Sequence, residues 1–220
     1  MKYRLIIFDI DGTIVKHISS WRYIHEELGL WDKQAFRYQE DFLAGKITYR
    51  KFCELDAAHW KGIKEERIRK IFKRARYSRN AVACIKKFKK AGFKLAAIST
   101  GLQYMADRAK EELGFDYVLS NRLNSRGGLL TGGVKININH GAKGMVLRKI
   151  VKRFDFKPRQ VICVGDSAGD IPMMKPAGYS IAFNSSSEEL SKIADYNCAA
   201  KDFKEVFDKI MEISFVRNSE

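Results

Sequence analysis

Cysteine and proline are scarce in this chain, with four of one and three of the other in 220 residues. Cys53, Cys84, Cys163 and Cys198 form no C-x-x-C pair, and a chain of this size buries roughly 70% of its unfolded surface without staples. A disulfide scaffold is excluded, and a reducing cytoplasm is the expected setting. His17, His25, His59 and His140 fall into no H-E-x-x-H or Cys/His ligand spacing, so zinc is set aside. Apolar runs such as Leu5–Phe8 and Val161–Val164 are far shorter than the roughly 18 residues of a membrane span. The segment Met1–Asp9 reaches an acid before a signal-peptide core forms, so neither a membrane span nor an export signal is expected. What is present is an ordinary globular composition, 45% apolar and 30% charged, enough for one domain with an insert.

The net charge of +15 is concentrated. Lys61–Lys90 holds thirteen basic residues against Glu65 and Glu66. Ile68, Ile71, Phe72 and Ala75 recur there at helical spacing, which puts the charges on the solvent face of an amphipathic helix. A solvated basic face and a surface for an anionic partner, nucleic acid or acidic lipid, both fit that pattern. No aromatic-and-glycine RNA-binding signature accompanies it.

Residues 3–9, 94–99, 160–165 and 179–183 read as short buried strands, with helical patterns at about 102–113, 143–155 and 169–176. Ser185-x-x-Glu188 reads as a capping box opening a helix near 186–194. This alternation predicts an α/β fold, a doubly wound parallel sheet of Rossmann-like type. Residues 15–78 break it with helix after helix and predict an all-helical cap inserted as a lid, leaving 1–14 and 79–220 as the core domain. Within 118–134, Gly127-Gly128 and Gly132-Gly133 bracket an apolar pair in the manner of a β-hairpin or flap.

The chemistry gathers at strand ends. Asp9-Ile10-Asp11-Gly12-Thr13 follows the first strand, at the sheet edge where open α/β folds bind ligands. The 160–165 strand ends in Gly165-Asp166-Ser167-Ala168-Gly169-Asp170, placing Asp166 and Asp170 at the same edge, on one face if the turn becomes helical. Converging carboxylates repel by about 4 kcal/mol per pair at 4 Å and an effective dielectric of 20, so positive charge must sit between them. Hard oxygen donors without His or Cys select magnesium. Lys143, where a helix begins, offers a second positive charge at a place the helix dipole disfavours. Ser99-Thr100-Gly101 ends another strand before a helix, supplying a hydroxyl and backbone N–H groups for phosphate oxygens. Each motif alone also fits a structural role: an Asp-Gly turn, an Asp166 helix cap, a Ser99 or Thr100 cap, an exposed lysine. Their joint order is the stronger signal.

Together these motifs resemble the haloacid dehalogenase superfamily of phosphohydrolases over essentially the whole chain, and within it the phosphoserine phosphatases with their small helical cap. Ser120-Asn121-Arg122-Leu123, Leu130-Thr131-Gly132, Ala142-Lys143-Gly144 and Ile181-Ala182-Phe183 carry that closer likeness. The resemblance implies Asp9 as nucleophile, forming an aspartyl-phosphate, and Asp11 as general acid and base. It implies magnesium on Asp9, the backbone carbonyl of Asp11 and Asp166, with Asp170 supporting Asp166 or Lys143. Ser99 and Lys143 would hold the transferring phosphoryl oxygens, with Thr13, Thr100 and Gly101 around them. A dehalogenase needs no acid two residues after its nucleophile, so Asp11 argues for phosphate and a small phosphorylated metabolite as substrate.

Departures from the family concern the substrate. Counted without gaps from the nucleophile, the positions that hold a phosphoserine's ammonium and carboxylate carry Ile18 and Glu54, and Gly169 and Thr100 stand where Asn and Gly are usual. Lys16, His17, Ser19 and Ser20, with Arg50 from the cap, are then the polar groups expected to select substrate, and phosphoserine is expected to turn over less well than another small phosphomonoester. Two alternatives stand beside this reading: a phosphatase whose basic cap recruits a polyanion such as a nucleic-acid end or lipid headgroup, and a non-enzymatic anion-binding module. The sequence leaves oligomeric state open.

Overall fold

A computed structural model describes residues 2–17 and 19–215. It contains a seven-stranded sheet in the order β4-β3-β2-β1-β5-β6-β7, an α/β doubly wound architecture. The strands are β1 Leu5–Phe8, β2 Lys94–Leu102, β3 Tyr117–Arg126, β4 Leu129–Lys135, β5 Val161–Gly165, β6 Tyr179–Phe183 and β7 Tyr196–Cys198. All pairings are parallel except β3 with β4. β1 is central, with Leu5 opposite Lys94 on one side and Val161 on the other.

Alternation along β1 sends its side chains into two cores. Ile6 and Phe8 join Phe88, Phe115 and Phe203, while Leu5 and Ile7 join Val146, Leu147 and Ile150. The first layer is built by α5 (Ala81–Lys90), α6 (Gln103–Leu113) and α10 (Phe203–Phe215), the second by α7 (Lys143–Arg153), α8 (Ile171–Met174) and α9 (Glu188–Ile193). Burial of both faces explains why β1 and β5 read as unbroken apolar runs.

Residues 20–74 form α1 (Ser20–Leu28), α2 (Lys33–Leu43), α3 (Tyr49–His59) and α4 (Glu65–Arg74). Ser19, Asp32 and Thr48 cap the first three with side-chain oxygens, and Gly29 ends α1 in the left-handed conformation. α4 buries Ile68, Ile71 and Phe72, and its exposed face carries the Arg69–Glu65 and Lys70–Glu66 pairs. The β3–β4 hairpin reaches this segment: Gly62 and Glu65 donate backbone N–H groups to Leu130 and Gly128, and Leu130 donates to Ile63. Val15 bridges Tyr77, so the segments that leave and re-enter the sheet region run side by side.

Several boundaries differ from the sequence reading. β2 continues to Leu102, with a register shift after Ile98. The helix expected at 169–176 divides into a tight 3-10 turn at Ala168–Asp170 and the short α8, because Asp170 turns its side chain back on the loop. The capping box shifts as well: Ser187, not Ser185, caps α9, and Ser185 accepts from the Ser187 N–H. All four cysteines are free and buried. Among the described residues no helix is long and apolar enough to cross a membrane.

Candidate active site

The carboxyl ends of β1 and β5 and the first turn of α7 converge. Asp9 follows β1, and Lys143, 3% exposed, donates to both Asp9 and the fully buried Asp170. The other Asp170 oxygen accepts the backbone N–H groups of Asp166 (3.0 Å) and Ser167 (3.1 Å) and the Ser167 hydroxyl (3.3 Å). Asp170 therefore fixes both the lysine and the loop that carries Asp166. Thr13 donates to Asp166 at 2.9 Å, and the Thr13 carbonyl accepts from Ser78. Gly12, at φ +82°, lies so close to Asp166 that a Cβ there would stand 2.3 Å from its carboxylate.

Carboxylate oxygens of Asp9, Asp166 and Asp170 lie within 4.8 Å of one another. Burial pushes the Asp9 carboxyl well above the usual carboxylate range against the pull of Lys143, with Asp170 and Asp166 adding to the rise. Burial and then the Asp170 charge push Asp166 up to about 7. Burial disfavours the Lys143 ammonium, but Asp170 and Asp9 outweigh it and raise its pKa. One lysine thus leaves negative charge uncompensated in a hard-oxygen cluster, the donor set that suits a divalent cation such as magnesium. Asp170 has both oxygens committed to protein donors, whereas Asp9 and Asp166 each have acceptor capacity to spare.

Asp11 faces another direction. Its Oδ1 lies 3.0 Å from His17 Nε2 and its Oδ2 accepts the Ser20 N–H at 2.9 Å. Burial acts to raise this carboxyl, but the His17 hydrogen bond and charge and the Ser20 N–H hold it below its ordinary value.

At the end of β2, Ser99 is 2% exposed and its hydroxyl accepts the Gly101 N–H at 2.8 Å. Neither Ser99 nor Thr100 caps α6, whose N-cap is Leu102. Thr100 contributes its carbonyl, which accepts from Trp21 Nε1 (3.2 Å), Asn121 Nδ2 (2.9 Å) and the Tyr49 hydroxyl. Two of those donors come from α1 and α3, so the helical segment lies over the carboxyl end of β2. Asn121 also donates to Tyr49 and the Ile138 carbonyl and accepts the Asn137 and Ile138 N–H groups, tying the strand end to the loop before Lys143. In the sequence Asn121 stands out only within the Ser120-Asn121-Arg122-Leu123 likeness, because its burial is a tertiary property. His140, packed on Phe42 and Tyr49, was likewise missed, and burial followed by the Lys143 charge lowers its pKa.

The expected specificity residues do not form one set. His17 and Ser20 meet at Asp11, while Lys16 is exposed. Arg50 and Glu54 are 60% and 49% exposed and face each other at 4.0 Å on the outer side of α3. Glu54 therefore has Arg50 as its charged neighbour on the solvent side of α3. Ile18, the other position counted from the nucleophile, lies outside the described residues.

The phosphoserine phosphatase of Methanocaldococcus jannaschii is 32% identical over 206 residues, covering 93% of this chain and 96% of that protein. That of Archaeoglobus fulgidus is 34% identical over 193 residues, 87% of this chain, which spans only 55% of its length. A solved structure described as a phospho-aspartyl intermediate analogue of phosphoserine phosphatase superposes with a TM-score of 0.82 at 31% identity, covering 95% of this chain and 99% of that one. A substrate-bound phosphoserine phosphatase complex gives 0.83 at 30% identity, with the same coverage. The family model for haloacid dehalogenase-like hydrolases matches residues 6–175, and the chain belongs to that family.

Proposed function

We propose that this enzyme is a magnesium-dependent phosphomonoester hydrolase acting through an aspartyl-phosphate on a small phosphorylated metabolite. The observation that carries the reading is the bridge of Lys143 between Asp9 and Asp170 with Asp166 alongside, at one edge of a parallel sheet. Asp9, the backbone carbonyl of Asp11 and Asp166 would hold magnesium. The chemistry supplied by the ion, when bound, is neutralisation of phosphoryl charge.

An Asp9 oxygen attacks phosphorus, the bond to the leaving oxygen breaks, and Asp11 delivers a proton to that oxygen. Water then attacks the aspartyl-phosphate while Asp11 takes its proton, releasing inorganic phosphate and regenerating Asp9. Lys143, the Ser99 hydroxyl and the Gly101 N–H region hold the equatorial oxygens as charge spreads over them. Thr13 and Asp170 keep Asp166 and Lys143 in place. Residues 15–78 act as the lid: Trp21 and Tyr49 dock on Thr100 and exclude water from a site whose Asp9, Ser99 and Lys143 are all buried.

The names of the relatives favour a small phosphomonoester over a polyanion, and the exposed ion pairs on α4 suit a solvated face. The buried free cysteines support a cytoplasmic setting. Phosphate release measured over a panel of phosphomonoesters, L-phosphoserine included, tests the reading. Activity is expected with magnesium, weakly with calcium, and not after chelation; full activity after exhaustive chelation contradicts it.

A further inference from the structure

Asp11, the proposed acid and base, is held on two sides. Its Oδ2 accepts the Ser20 N–H and packs against Gly101, where a Cβ would come within 2.2 Å of it, so this oxygen sits at the corner of the site beside Ser99. Among the described residues, its Oδ1 has a single side-chain partner, His17 Nε2 at 3.0 Å. The imidazole is itself fixed, stacked on Tyr23 at 4.6 Å between centroids and 5° between planes, with Phe72 edge-on at 6.1 Å. Both partners are nearly closed off, with side chains 12% and 11% exposed. On its outer side His17 lines an open cavity of about 580 Å³ with Lys16, Tyr23, Glu27, Arg74 and Arg76. His17 therefore links Asp11 to the wall of that cavity.

We propose that His17, resting on the assignment of Asp11 as acid and base, is a positioning residue that fixes the Asp11 carboxylate toward the leaving oxygen. Without it, Oδ1 loses its partner while Oδ2 keeps its Ser20 contacts, and the carboxylate is freer to turn about its terminal torsion, which is broad for Asp. Misplacement of a reacting group by about 1 Å costs up to about a hundredfold. That loss falls on protonation of the leaving group and on nothing else in the phosphorylation half-reaction.

The test uses two aryl phosphates of nearly the same shape. p-Nitrophenolate departs without a proton, whereas phenolate is more basic and benefits from one. Because kcat/KM covers steps only up to departure of the leaving group, its ratio between p-nitrophenyl phosphate and phenyl phosphate reads the proton delivery. In His17→Ala, with magnesium saturating and folding checked by circular dichroism, the ratio is expected to rise about tenfold or more over wild type, phenyl phosphate bearing the loss. His17→Gln, which keeps an N–H donor on a side chain of similar reach, is expected to stay within about threefold of the wild-type ratio. Equal losses on both substrates in His17→Ala, or a Gln variant displaced as far as the Ala variant, overturn the proposal and leave the phosphatase reading standing. If His17→Ala does not fold, the Gln variant and His17→Leu, which fills the space without a donor, decide it by the same ratio. A wild-type enzyme that releases phosphate from neither ester defeats the phosphatase reading, and this proposal with it.

Discussion

Lys143 donates to Asp9 across 134 residues of chain, joining the first turn of α7 to the end of β1. With this lysine removed, Asp9 and Asp170 face each other as buried acids without their shared cation. Lys143→Ala is expected to lower kcat by about a hundredfold or more, the cost of losing one charged oxyanion partner. Steady-state kinetics on p-nitrophenyl phosphate check this.

Asp9→Asn removes the attacking charge and is expected to abolish turnover, provided mass spectrometry excludes deamidation back to Asp. Asp11→Asn keeps the nucleophile but loses proton transfer, a contribution of about 10² to 10⁴-fold. Slow phosphorylation followed by a stalled intermediate is its expected signature, read as a burst without turnover in rapid-quench experiments.

The pH dependence of stability follows from the raised carboxyls. A group whose folded pKa exceeds its unfolded value favours folding at low pH, and that contribution is lost as pH rises through the folded value. For Asp166 the window runs from the ordinary carboxylate range up to about 7, with Asp9 shifted in the same direction. Magnesium requires both groups ionised, so the rise in Tm it confers should grow between about pH 5 and pH 8. Thermal melts with and without magnesium across that range are the check; a constant increment contradicts the assignment of these carboxylates to the metal.

Asn121→Ala leaves the N–H groups of Asn137 and Ile138 without their side-chain acceptor. Unsatisfied donors cost about 1–3 kcal/mol each, so denaturant unfolding should show a loss of about 2–6 kcal/mol. Tyr49→Phe, which removes one of three donors to the Thr100 carbonyl, should cost about 1 kcal/mol.

Glu54→Ala breaks only an exposed pair with Arg50 and is expected to leave kcat/KM on every phosphomonoester within about twofold. A gain for phosphoserine would instead return Glu54 to the substrate site.

The parts of the site legible in the sequence were those tied to strand ends. Asp9, Ser99, Asp166 and Lys143 each sit where a buried apolar run stops or an amphipathic pattern starts, and the alternation of elements puts such places on one edge. The surroundings of Asp11 are not legible, because its contact with His17 depends on how the chain turns between those two residues. The triple acceptance by the Thr100 carbonyl and the hub at Asn121 are tertiary contacts spanning 16 to 79 residues, which no periodicity encodes. Counting without gaps does not say which face of α3 Glu54 occupies. On α3, with Thr48 as cap, the buried face runs through Phe52, Cys53, Asp56 and Ala57, and a count off by one or two residues moves a side chain to the other side. β7 was missed because three residues carry too little pattern to register as a strand.

In the proposed reaction Asp9 carries the phosphoryl group. Acid-quenching the magnesium-loaded enzyme during turnover and reducing it with borohydride converts an aspartyl-phosphate to homoserine, which peptide mass spectrometry locates. Homoserine at position 9 in the wild type, enriched in Asp11→Asn and absent from Asp9→Asn, is the expected result. Turnover with no modification at position 9, or with the phosphoryl group trapped on another residue, would contradict the account.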